Sequence, residues 1–216
     1  MSTNCVLLTG GIGSGKSTLS AYFLDKYNIE TIDTDAIAKI LTRPDQALGL
    51  NTLRILKDYF PDLIDDELIL NRAGLRQRIF RDMAAKSYLE SVLHPLIYQE
   101  SLKLVHASPS IYCVLAIPLL YPDSKYLKFD FMQAYPIVIN VEALYNDQIE
   151  RVAKRDNISH ELAQKIIDAQ PTAEIRSSIA TYSIRAHADI ASLHKQADEI
   201  HALILGKLKN KSTSIN

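Results

Sequence analysis

The sequence is poor in cysteine and lacks a surplus of charge of either sign. Cys5 and Cys113 lie far apart in apolar stretches, and neither belongs to a CxxC pair or a metal-ligand pattern. We therefore expect two buried, free thiols. With 24 Lys and Arg against 25 Asp and Glu, the net charge of -1 indicates neither nucleic acid nor a membrane surface as a partner.

Long apolar runs are also missing. The longest, Val114 to Tyr121, is too short to cross a bilayer and contains Pro118. The first residues carry no basic segment ahead of an apolar stretch, as a secretory leader would. Since 47% of the 216 residues are hydrophobic, the chain can bury a sizeable core. We expect a cytoplasmic, compact enzyme.

Glycine is scarce, yet four of the seven glycines fall between positions 10 and 15. The segment from Gly10 to Ser17, Gly-Gly-Ile-Gly-Ser-Gly-Lys-Ser, matches G-x-x-x-x-G-K-[ST]. It follows a predicted strand, Cys5–Thr9, and precedes an apolar-rich helical segment, which is the context that gives this pattern its meaning. A glycine-rich turn that matches by chance is the alternative.

Such a loop directs backbone N–H groups and a helix N-terminus at phosphate oxygens. Lys16 is expected to reach the β- and γ-phosphates of ATP, and the Ser17 hydroxyl to ligate Mg²⁺. The predicted ATP-binding residues are Gly11, Ile12, Gly13, Ser14, Gly15, Lys16, Ser17 and Thr18.

Acidic residues end the second predicted strand, Ile29–Asp33. Ligands of open α/β sheets gather at this edge, and phosphoryl transfer to an alcohol needs a group that accepts the hydroxyl proton. Asp35 is therefore predicted to be a catalytic base or a metal-organising acid. In the second case it would hold Mg²⁺ together with Ser17. The alternatives are an N-cap of the helix that starts near Ala36, or a solvated turn.

Gln148, Arg151 and Arg155 recur at intervals of three and four, which places them on one face of a predicted helix over 144–155. A second helix is predicted over 161–169. An arginine-bearing helix followed by a short one is typical of a mobile lid that brings cations to the transferring phosphoryl group. The alternative is a solvated charged face.

The remaining pattern predicts an α/β fold. The runs Ile111–Ile117 and Tyr135–Val141 are apolar enough for strands of a parallel sheet covered on both faces. Residues 43–106 carry mostly helical periodicity, and a last helix over 188–208 leads into a polar tail that we expect to fray. The expected architecture is a P-loop NTPase-type parallel sheet flanked by helices, with an inserted helical substrate-binding part and a helical lid.

One domain is predicted over residues 1–216. Its P-loop core would comprise about 1–35, 108–142 and 172–210. The insertion would span about 36–107 and the lid about 143–171.

Basic residues and a histidine also occur in the predicted insertion. Arg72, Arg76 and Arg78 could bind an anionic substrate, although arginines of this kind are more often ordinary surface residues. His94, which precedes Pro95, could contact substrate, but such a histidine is more often a capping or packing residue.

Taken in order, the motifs resemble the dephospho-coenzyme A kinase family over nearly the whole chain. The segments that carry the resemblance are Leu8–Ser17, Ile32–Asp35 with Ala38, Arg72, Leu75-Arg76, Ile79-Phe80, His94–Ile97, Pro118–Leu120, Arg151, Arg155-Asp156 and Ala169-Gln170.

The resemblance implies phosphorylation of the ribose 3′-hydroxyl of dephospho-CoA by MgATP, the last step of coenzyme A synthesis. It implies Asp35 near that hydroxyl, Arg155 as the lid cation, and Arg76 and His94 on the acceptor side. The partners would be ATP and dephospho-CoA, with Mg²⁺ as cofactor, and the enzyme would be a monomer or weak homo-oligomer.

The chain departs from the family pattern at several positions. Lys39 and Lys165 stand where the family usually has arginine, so they keep the charge without the bidentate fork. Residues 180–186 lack the acid and the asparagine that the family carries beside the nucleotide base. Alternatives to the family activity are another small-molecule P-loop kinase, a nucleotide-dependent switch, or a degenerate member that binds nucleotide without turnover.

Overall fold

The computed structural model describes residues 4–128, 136–186 and 189–213. Five strands and nine α-helices lie in these ranges, with a short 3₁₀ helix at Lys125–Lys128. In chain order they are β1 (Cys5–Gly10), α1 (Lys16–Tyr27), β2 (Thr31–Asp33), α2 (Thr34–Ile40), α3 (Ala47–Tyr59), α4 (Arg72–Arg81), α5 (Met83–Ala107), β3 (Cys113–Ala116), β4 (Ile137–Glu142), α6 (Tyr145–Asp156), α7 (His160–Asp168), α8 (Ala173–Ile179), β5 (Tyr182–Arg185) and α9 (Ile190–Thr213).

The strands form one sheet in the order β2-β3-β1-β4-β5. β1 pairs in parallel with β3 and β4, so that Leu7 lies beside Leu115 and Val138, and β4 pairs in parallel with β5. The predicted α/β fold with a parallel sheet is confirmed. Because parallel strands end at the same edge, the segments that follow β1, β4 and β5 meet there.

The chain divides into two compact units, residues 1–32 with 105–216, and residues 33–104. The core of the first unit packs β1, β3 and β4 against α1 and α9. The second unit has a helical core around Leu53, Phe60 and Leu89. Each unit thus has its own buried apolar cluster.

The predicted state of the cysteines is confirmed. Cys5 and Cys113 are free and buried, and they are register partners on β1 and β3. The contact with Cys113, together with burial, raises the pKa of the Cys5 thiol. In the described part of the chain, every helix is too short or too polar to cross a membrane.

Two elements near the C-terminus were not predicted, the helix α8 and the strand β5. Among the residues of β5 only Ile184 is buried, because this strand lies at the edge of the sheet. A mostly polar edge strand carries little apolar signal in its sequence. The tail Lys207–Asn216 was expected to fray, and this is wrong as far as Thr213, where α9 ends. Tyr135, Ala188 and residues 214–216 lie outside the described ranges.

Candidate active site

The glycine-rich segment lies between β1 and α1, as predicted. Gly15 is the N-cap of α1 with φ 103°, and the first helical hydrogen bond runs from the Leu19 N–H to the Gly15 carbonyl at 3.1 Å. The N–H groups of Lys16, Ser17 and Thr18 therefore lie in the first turn, where backbone N–H groups have no acceptor within the helix. Donors at this position, reinforced by the helix dipole, are suited to phosphate oxygens.

Gly13 is held in a conformation and a space that exclude a side chain. Its φ is 74°, and a Cβ there would lie 3.0 Å from the Gln148 carbonyl oxygen and 3.1 Å from Val152 Cγ2. Both atoms belong to α6. The helix thus packs directly on the backbone of the loop, and this approach requires glycine.

The Lys16 ammonium lies against the start of the loop. Its Nζ donates to the Gly10 carbonyl at 2.6 Å and to the Gly11 carbonyl at 3.0 Å. The side chains of Ser17 and Thr18 are exposed, whereas Ser14 is buried and its N–H closes the turn onto the Gly11 carbonyl at 3.1 Å. The loop therefore presents one cation and exposed hydroxyls beside the helix N-terminus.

Ile12 joins the tip of the loop to α6 and α7. Its N–H donates to Gln170 Oε1 at 2.8 Å, and its side chain packs on the buried cluster of Ile149, Val152, Ala153 and Ala163. Ile12 therefore connects the loop to both helices through one hydrogen bond and one apolar contact. Gln170 belongs to the family pattern, but nothing in its local sequence indicates a contact 158 positions away.

Arg151 connects three segments of the first unit. It donates to the Gly13 carbonyl at 3.1 Å and to the Ala186 carbonyl at 3.0 Å, and Asp147 lies 3.7 Å from it. Ala186, which follows β5, is thereby held against the loop beside Gly15, where a Cβ would lie 3.4 Å from the Ala186 Cβ. The sequence places Arg151 on one face of the predicted lid helix with Arg155, but it does not indicate this clamp.

Arg155 lies at the end of α6 and is exposed. Its guanidinium makes two hydrogen bonds to the Asp156 carboxylate, at 2.8 and 2.7 Å, and the pKa of Arg155 is raised by this contact. The alternative of a solvated charged face does not hold for Gln148. Gln148 is 6% exposed and donates to the Ala143 carbonyl at 2.9 Å, because α6 packs this side against the loop.

A cleft of about 660 Å³ adjoins the loop in the same unit. It is lined by Glu142 at the end of β4, by Gln148 and Gln170, and by Arg176 of α8. A Cβ on Gly11 would lie 3.4 Å from Arg176 Nη2, and burial lowers the pKa of the Arg176 guanidinium. Arg176 was not identified from the sequence, since α8 itself was not predicted.

In the second unit, Asp33 and Asp35 occupy different positions at the start of α2. Asp33 is the N-cap of α2, and its Oδ1 accepts the Asp35 N–H at 2.9 Å. Asp35 therefore does not cap the helix, and this alternative for it is wrong. Asp35 is exposed in the first turn of α2.

The basic residues of the second unit also divide into two kinds. Arg72 donates to the Thr42 carbonyl at 3.1 Å, and Arg78 pairs with Asp62, so both are held by their own unit. Arg76 is exposed and makes no hydrogen bond or ion pair within the described ranges. His94 is exposed within α5, which runs on to Ala107, so it is neither a helix cap nor a buried packing residue.

The chain is similar to dephospho-CoA kinases. The family model described as dephospho-CoA kinase matches residues 4–192. A dephospho-CoA kinase of Vibrio parahaemolyticus is 32% identical over 202 residues, 94% of this chain and 95% of the relative. One of Escherichia coli is 35% identical over 197 residues, 88% of this chain and 90% of the relative. A solved dephospho-CoA kinase structure from Campylobacter jejuni has a TM-score of 0.65 at 23% identity, covering 94% of this chain and 97% of that one.

Proposed function

Because the chain belongs to the dephospho-CoA kinase family, we propose that it transfers the γ-phosphoryl group of ATP to the ribose 3′-hydroxyl of dephospho-CoA. The products are coenzyme A and ADP. The observation that carries the proposal is the phosphate loop between β1 and α1, complete in Lys16 and Ser17, within a family match that covers most of the chain.

The phosphates of ATP are bound by the loop from Gly11 to Thr18. The N–H groups in the first turn of α1 hold the phosphate oxygens, and the Lys16 ammonium compensates their negative charge. Arg155 is the lid cation that stabilises the transferring group, and its present partner Asp156 holds the guanidinium at the end of α6. Charge compensation of this kind is the main contribution a protein makes to phosphoryl transfer.

The residues at the start of α1 fit a magnesium ion. The exposed Ser17 hydroxyl stands beside the phosphate donors, and Mg²⁺ prefers oxygen ligands that include substrate phosphates. Ser17 would hold the ion, with Asp35 as a candidate further ligand. Bound Mg²⁺ supplies neutralisation of the phosphate charge.

On the acceptor side, Asp35 accepts the proton of the 3′-hydroxyl as the oxygen attacks the γ-phosphorus. A carboxylate placed beside the hydroxyl can act as this base. Arg76 and His94 bind the acceptor. The exposed Arg76, which makes no ion pair within the described part of the chain, is suited to the diphosphate of dephospho-CoA.

The proposal is tested by incubating the purified protein with MgATP and dephospho-CoA, and with AMP, uridine or gluconate in parallel. ADP release and product mass are followed. We expect coenzyme A to form and the other acceptors to react far more slowly. Absence of coenzyme A, or faster turnover of another acceptor, would contradict the proposal; nucleotide binding without turnover would identify a degenerate member.

A further inference from the structure

Phe80 is the most exposed of the large apolar side chains that the structure describes, at 88%. It lies in the last turn of α4, whose Leu75 and Ile79 pack into the core of the second unit. This packing fixes the rotation of α4 and leaves the Phe80 ring in solvent. A single exposed ring is ordinary, so its meaning depends on its neighbours.

A cation lies one helical turn from the ring. Arg72, Arg76 and Phe80 follow at four-residue spacing and share a stripe of α4. Arg72 is held by the Thr42 carbonyl, whereas Arg76 has no hydrogen bond or ion pair in the described ranges. The stripe therefore presents one guanidinium and one aromatic ring on a fixed helix surface, from backbone positions about 6 Å apart along the axis.

This pair matches the chemistry of a nucleoside 5′-phosphate. A purine stacks on an aromatic ring, and a guanidinium binds phosphate oxygens, while a ribose separates the two groups in the ligand. We propose that the adenine ring of the acceptor stacks on Phe80 and that its 5′-diphosphate binds Arg76. The proposal rests on the proposed function, which makes dephospho-CoA the acceptor.

The competing occupant of the ring is the pantetheine arm, which is flexible and also partly apolar. The adenine is favoured because it is planar and rigid. A planar base stacks on an exposed aromatic ring better than a flexible chain does. Since both parts belong to the same substrate, fragments of the acceptor distinguish them.

The experiment measures the KM for dephospho-CoA and competitive inhibition by 5′-AMP and by 4′-phosphopantetheine, at saturating ATP. Phe80→Ala should raise the KM for dephospho-CoA and weaken inhibition by 5′-AMP, each by about tenfold, with inhibition by 4′-phosphopantetheine unchanged. Phe80→Trp should restore both values. Arg76→Ala should weaken both inhibitors, because each carries a phosphate.

Ile55→Ala is the matched control, since it removes an exposed apolar side chain elsewhere in the second unit and should change none of these values. Loss of inhibition by 4′-phosphopantetheine alone in Phe80→Ala would overturn the proposal in favour of the arm. An unchanged KM, or no inhibition of the wild type by 5′-AMP, would also overturn it. A wild type inactive on dephospho-CoA would instead contradict the proposed function.

Discussion

The Tyr112 hydroxyl lies 2.8 Å from Nδ1 of His201, and the His201 ring stacks on Tyr27 with 3.7 Å between ring centroids. Tyr112 immediately precedes β3, and His201 belongs to α9, so the contact joins the sheet to the last helix. Burial lowers the pKa of His201, and Lys26 lowers it further, against an opposing effect of Asp198.

This environment predicts a pH-dependent stability. Because the folded pKa of His201 is below its ordinary value, the unfolded chain binds more protons than the folded one below about pH 6.5. The free energy of unfolding should therefore fall as the pH drops through that region. His201→Gln should weaken the dependence, as measured by urea unfolding at about pH 7.5 and 5.5. The same pH dependence in both proteins would rule out His201 as its source.

Gly13→Ala should impair the phosphate loop. A Cβ there meets the Gln148 carbonyl at 3.0 Å with φ at 74°, so either α6 or the loop must move. We expect a loss of stability of about 1–3 kcal/mol, seen in thermal unfolding, together with a higher KM for ATP. Gly206→Ala is the control, because a Cβ there has no atom within 4 Å in the described structure and lies inside α9. It should stabilise the protein by about 0.5–1 kcal/mol.

Arg151→Ala should raise the KM for ATP by about tenfold or more, because charged hydrogen bonds to the carbonyls of Gly13 and Ala186 are lost. Nucleotide binding can be followed by calorimetry with ADP. Lys154→Ala removes an exposed positive charge from the same helix and should leave the affinity nearly unchanged. Equal losses in the two variants would point to the net charge of α6 instead of the clamp.

Asp35→Asn should lower kcat for dephospho-CoA by about 10²–10⁴-fold, as expected for loss of a general base, with little change in thermal stability. Asp33→Asn preserves an N-cap acceptor for the Asp35 N–H and should keep both activity and stability. Steady-state kinetics of the two variants decide the assignment. Full activity of Asp35→Asn would exclude it as the base.

The sequence by itself determined the features that depend on neighbouring residues. The strand β1, the glycine-rich turn and α1 follow one another without interruption, so the loop was predicted with its context. The buried runs of β3 and β4 identified central strands, because both of their faces are covered. The order of the remaining motifs was enough to identify the family, now shown by the match over residues 4–192.

Only the tertiary structure decided which distant groups meet the loop. Gln170 reaches the Ile12 N–H, and Arg151 joins Gly13 to Ala186, through contacts that no local pattern encodes. The edge strand β5 has a single buried residue, so its sequence does not indicate a strand. Its extended conformation depends on pairing with β4. Gln148 is buried for the same reason. The packing of α6 on the loop backbone at Gly13 decides which face of the helix is buried, and helical periodicity in the sequence does not indicate that partner.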